Sequence, residues 1–191
     1  MGSNPAIPTN FFPLLLLLRT RCFCLLLVCV LAATATDARA SEEDERPSPL
    51  ASIARQVVSD PTTFMPGALL YVSMQLDWNS SQPFFQNGFV ERNARYTRSG
   101  VSGDVPISYG DGNRKLVVDA LAVVPASLAN NAVNRATERI LSVRFPSKEK
   151  LWTTIAYVER AVFASYASYV VSGPHFRRWR ANERLAGQLG Y

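Results

Sequence analysis

Beyond Cys29 this chain has no cysteine, and His175 is its only histidine. Cys22, Cys24 and Cys29 sit together in one apolar stretch, so the rest of the chain can make no disulfide and offers no thiol chemistry. A single imidazole without thiolates excludes a tetrahedral zinc site of the usual nitrogen and sulfur ligands within one chain. No Gly-x-Ser-x-Gly elbow marks a serine hydrolase. No glycine cluster is followed by the Lys-Ser/Thr of a phosphate loop. Strand-like alternation and internal repeats are also missing. These absences predict an all-α chain with no cofactor, no metal centre and no nucleotide.

What is present begins with an address. Arg19 and Arg21 precede an unbroken apolar run, Cys22–Ala33, and Ala38-Arg39-Ala40 follows. Positive, apolar, then small-x-small is the order of a secretory signal peptide, so residues 1–40 are expected to be cut after Ala40. The alternative is a retained anchor. The strict run falls short of the roughly 17–25 residues of a spanning helix. Extending it back to Phe11 brings Arg19 and Arg21 near mid-bilayer, at about 2.5–3.5 kcal/mol each. Export places the remainder in the periplasm or at the inner membrane, where nucleic acid is not the expected partner.

Residues 41–49, with Glu42-Glu43-Asp44-Glu45 at their centre, read as an acidic disordered leader. Residues 50–191 are expected to form one helical domain. Charge divides unevenly: residues 41–113 carry 5 basic against 9 acidic side chains, and residues 114–191 carry 12 against 5. A basic C-terminal half on an exported chain points to a membrane lipid surface or an anionic envelope polymer.

The helical pattern is strong. Ser48 can cap a short helix through Ser59. Asp60-Pro61 is a cap followed by a first-turn proline, with the regular helix expected from Phe64 and continuing to Pro83. Phe64, Ala68, Tyr71, Val72 and Leu76 recur along it at helical spacing. Residues 86–113 hold Gly88, Gly100, Gly103, Gly110 and Gly112 and predict a long glycine-rich loop. A second long helix is expected over 114–145, with a stripe of Val117, Leu121, Val124, Leu128, Ala132, Ala136 and Ile140 and a kink at Pro125. A third runs from Lys148 to about Ser172, striped by Leu151, Ile155, Val158, Val162, Tyr166 and Tyr169. Gly173-Pro174 should end it, leaving a short final helix. The fold class is therefore a bundle of three long helices with one or two short ones. Pro61–Leu76, Leu116–Asn130 and Leu151–Ser172 each approach spanning length, and each is short or carries charge. Asp119 and the Glu159/Arg160 pair would be costly in lipid unless paired across the bundle.

Asp77, the stretch Asn87-Gly88-Phe89-Val90-Glu91-Arg92-Asn93, and Tyr166 ahead of His175 resemble an uncharacterised family of small bacterial helical membrane proteins. That family shows an Asp, a Gly-x-x-Glu-x-Asn element, and a late Tyr and His. The likeness spans roughly residues 61–180 and implies helical topology and membrane association, with no assigned activity. Ala94 stands where the family tends to have proline.

Two groups of residues are candidates for function. Asp77, Glu91 and His175 supply two carboxylates and an imidazole, the parts of a general acid–base site. Arg177, Arg178, Trp179, Arg180 and Arg184 combine arginine with an amphipathic aromatic, which suits lipid headgroups or an anionic polymer. The expected function is an exported, membrane-associated envelope protein with a structural or binding role. The alternative is a small membrane-proximal hydrolytic enzyme using Asp77, Glu91 and His175.

Overall fold

The computed structural model describes residues 48–191, so the expected signal peptide and most of the acidic leader lie outside the described residues. The chain divides between residues 52 and 53 into two units. Of the first, the described part is the start of helix α1 (Pro49–Ser59), where the Ser48 hydroxyl accepts the Ala51 N–H at 3.2 Å. The second unit is all-helical among the described residues, with three long helices as expected.

Helix α2 (Pro61–Gln86) opens on Asp60, whose carboxylate accepts the Thr62 N–H at 3.1 Å, with Pro61 in the first turn. There its missing donor costs nothing. The helix carries Pro66 and Pro83 inside it. Residues 87–108 form the loop, shorter than expected because Gly110 and Gly112 belong to helix α3 (Tyr109–Leu121). Ser108 starts α3 early: its hydroxyl accepts the Asp111 N–H at 3.1 Å and donates to the Asp111 carboxylate at 2.6 Å. The loop turns at Gly88, which takes φ +84° at no steric cost. It is drawn together by two isolated antiparallel bridges, Glu91 to Asp104 and Thr97 to Pro106.

The second long helix is interrupted where a kink is expected. Helix α4 (Val124–Arg144) is separated from α3 by Ala122 and Val123. Pro125 thereby falls in the first turn of a new helix, where it needs no donor, and bending a continuous one is avoided.

Helix α5 (Glu149–Leu189) corrects a second expectation, because it passes through Gly173-Pro174 without ending. An interior proline costs about 3 kcal/mol. Contacts beyond it offset that cost: His175 meets Asp77, Asn182 reaches Ser80 and Ser81, and Tyr191 packs edge-on against Phe84 with ring centroids 5.8 Å apart. These pairs rise together along both chains, so α2 and α5 run parallel. Gln75 with Asn113 and Thr63 with Asn131 show that α3 and α4 run antiparallel to α2.

Near the loop lies an apolar core of Leu70, Met74, Trp78, Tyr96 and Leu116. Trp78 packs on Phe85 and Tyr96 with centroids 5.6 Å from each. Gly112 lets α3 approach this ring, since a Cβ there would sit 2.3 Å from it.

The apolar stripe of α5 faces outward, and those of α2 and α4 do so in part. On α2, Phe64, Tyr71 and Val72 are exposed while Thr63, Gly67, Ser73 and Met74 are buried. On α5 the six stripe residues are all exposed, Tyr166 by 68% and Tyr169 by 70%. The buried row is Ala156, Arg160, Ala164, Ser168 and Ser172, one residue every four. Helix α4 buries Ser127, Asn131 and Asn134, leaves Val124, Leu128, Ala132 and Ala136 of its expected stripe half-buried, and exposes Ile140. One stretch among the described residues is long and apolar enough to cross a membrane, Tyr109–Arg144, and 22% of its apolar window is buried. The other two segments that approach spanning length do not reach that standard.

Candidate functional site

Asp77 and His175 are 98 residues apart in sequence and meet because α2 and α5 run in parallel register. His175 Nδ1 lies 2.8 Å from Asp77 Oδ2, with both side chains mostly buried. The pair has a polar floor. The Ser80 and Ser81 hydroxyls donate to the Asp77 carbonyl at 2.9 and 2.8 Å, and the Asn182 amide donates to both hydroxyls. A carboxylate on Nδ1 fixes an imidazole's orientation and leaves Nε2 to exchange a proton. Among the described residues no side chain bonds Nε2, and both serine hydroxyls are turned to the Asp77 backbone.

Glu91 does not join them. It sits on the loop, where its carboxylate accepts the Asn93 N–H at 2.6 Å and its backbone bridges Asp104. No group of three or more His, Cys, Asp or Glu side chains among the described residues could hold a metal ion.

The basic group lies on the last turns of α5. Arg177, Arg178, Arg180 and Arg184 are exposed, and none forms an ion pair among the described residues. Trp179 is turned toward α2, where it lines a groove of about 490 Å³ with Leu76, Asn79, Ser80 and Pro83.

No known family, curated protein or solved structure matches this chain. The resemblance carried by Asp77, the Glu91 stretch and His175 therefore rests on those short motifs alone.

A third cluster is the most polar part of the interior, and reading the sequence misses it. Arg160, only 2% exposed, sets Nε 3.0 Å from Asp60 Oδ2 and donates through Nη1 to Asn134 at 2.5 Å and Glu138 at 3.2 Å. Arg135 bonds the same two carboxylates, Asp60 at 3.1 Å and Glu138 at 3.2 Å. Two arginines thus face two carboxylates, and their charges balance. Asn131 donates to Thr62 and Thr63, and Asn134 donates to Glu159. The network ties the start of α2 to α4 and α5. Its signal in the sequence is a polar stripe, Ser127, Asn131, Asn134 and Glu138, at the spacing expected of an apolar core.

Asp119 is also paired. It accepts from Arg95 Nε at 2.9 Å and from the Tyr96 hydroxyl at 2.9 Å. Burial, and then the hydrogen bond to Asp119, push the Tyr96 phenol above its ordinary range. The same carboxylate raises the Arg95 guanidinium. All three charges that the sequence marks as costly in lipid, Asp119, Glu159 and Arg160, have partners within the bundle.

Proposed function

We propose that this chain is an exported, membrane-associated helical protein of the bacterial cell envelope, with a structural or binding role and no chemistry of its own. The reading is carried by the inverted polarity of α5. In a bundle surrounded by water, the apolar stripe of a helix turns to the core and its polar face to solvent. Here Leu151, Ile155, Val158, Val162, Tyr166 and Tyr169 turn outward, and alanine, serine and one arginine turn inward. Lipid tails are as apolar as leucine, so helices in a bilayer associate through small residues and interior hydrogen bonds. Gly67 fits that pattern: a Cβ on it would meet the Ala120 carbonyl at 3.0 Å, a close approach of α2 to α3. The ion pairs of Asp119 with Arg95 and of Arg160 with Asp60 and Glu138 support it too, since an unpaired charge in lipid is expensive; Glu159 bonds only the neutral Asn134 amide.

The hydrolytic alternative retains the Asp77–His175 pair but lacks Glu91 and a hydroxyl on Nε2, so it is the weaker reading.

Membrane fractionation with an alkaline carbonate wash tests the proposal. The protein is expected in the washed pellet with Ser41 as its first residue. Release into the soluble fraction would overturn membrane association.

A further inference from the structure

The outward stripe of α5 does not stop at the proline. Stepping by three or four residues, Leu151, Ile155, Val158, Val162, Tyr166 and Tyr169 lead through Gly173 to Arg177, Arg180 and Arg184. At 100° per residue these nine large side chains fall within a sector of about 100°. The helix is continuous across the change from apolar to basic, so the arginines stay in phase with the valines and tyrosines. The order along this face is aliphatic, then tyrosine, then arginine, with the exposed Glu159 at its edge on the bearing of Arg177. It is the order in which a bilayer passes from acyl chain to interface to headgroup. Glu183, the sole acidic residue after Pro174, accepts from Trp179 Nε1 at 3.3 Å and borders this face, about 60° from Arg180. Arg178 lies about a quarter turn away and Trp179 faces α2, so the stripe is narrower than the basic group read from sequence.

We propose that Arg177, Arg180 and Arg184 form a binding stripe for anionic phospholipid headgroups, with acyl chains lying along Val162, Tyr166 and Tyr169. The proposal rests on the membrane reading above and adds to it the lipid class and the end of the bundle that meets it. A soluble polyanion would need the charges alone. Nothing in its chemistry would use an apolar row in phase with them.

The test is flotation of the full chain, diluted from non-ionic micelles onto neutral phosphatidylcholine vesicles or vesicles one-quarter phosphatidylglycerol. Each near-surface arginine is worth about a fivefold gain against anionic lipid, so the three together should favour the anionic vesicles about 100-fold at low salt. High salt should shrink that advantage. The triple variant R177Q/R180Q/R184Q should float with neutral vesicles as before and lose the advantage. The control R92Q/R98Q/R114Q, which removes equal charge elsewhere, should keep it. Equal flotation of the parent chain on both vesicles would overturn the headgroup proposal and leave membrane association standing. So would a control variant that loses as much as the triple variant. Flotation with neither vesicle, with retention on a polyanion column, would overturn both.

Discussion

Trp78 and Arg160 are almost equally buried, 5% and 2% exposed, yet their surroundings share no chemistry. Around Trp78 the chain builds an apolar core of the usual kind, with aromatic rings, Leu70, Met74 and Leu116 closed over by Gly112. Around Arg160, near the other end of α2, it builds a knot of four charges with Thr62, Thr63, Asn131 and Asn134 hydrogen-bonded around them. Burial of apolar area drives the first wherever water surrounds the protein. The second gains little from that effect and depends on each charge finding its partner, because a buried charge without one is penalised heavily. The two regions therefore respond differently to substitution.

The sharpest way to break the comparison is Arg160→Ala. It leaves Asp60 and Glu138 to share Arg135, and the expected loss is about 3 kcal/mol by denaturant titration in micelles. A loss below about 1 kcal/mol would mean that water reaches the knot and that burial does not govern it. The matching change at the apolar end is Gly112→Ala. Its methyl would press into the Trp78 ring, at an expected cost of about 1–3 kcal/mol, with a shift in tryptophan fluorescence. Smallest is the pH effect at Tyr96. Its phenol is raised above the unfolded value of about 10, so the native state holds its proton where the unfolded chain releases it. Stability from this group is whole below pH ~10 and is lost as pH rises beyond it. Tyr96→Phe should flatten that alkaline decline, measured as unfolding midpoint against pH.

Much of the helical order is legible in the sequence because it is local. Asp60-Pro61 and Ser48 mark boundaries through backbone chemistry that needs no tertiary partner. Gly173-Pro174 misleads for the opposite reason: contacts of the following residues with α2, a hundred positions earlier, outweigh the local break. The early start of α3 was available in Ser108 and Asp111, a cap with its reciprocal partner three residues on. The direction in which a stripe faces is not local information. Val162, Tyr166 and Tyr169 have the same spacing whether they meet a core or a lipid tail, and only the opposite face of the helix decides. That face, Ala156, Arg160, Ala164, Ser168 and Ser172, is read easily once its neighbours are known. Asp77 and His175 stand out by residue type, but their contact depends on the parallel register of α2 and α5.

The uninterrupted passage of α5 through Pro174 makes this helix a phase-keeper. Its 41 residues extend about 60 Å, and every side chain's bearing is set by those before it. One residue added between Tyr169 and Arg177 would swing the arginines by about 100°, onto a new bearing, without altering their number or charge. Deleting one would turn them the other way. The alignment of the two halves of α5 is thus stored in residue count, and a lineage could lose it by a single codon while composition, length and net charge stayed almost unchanged.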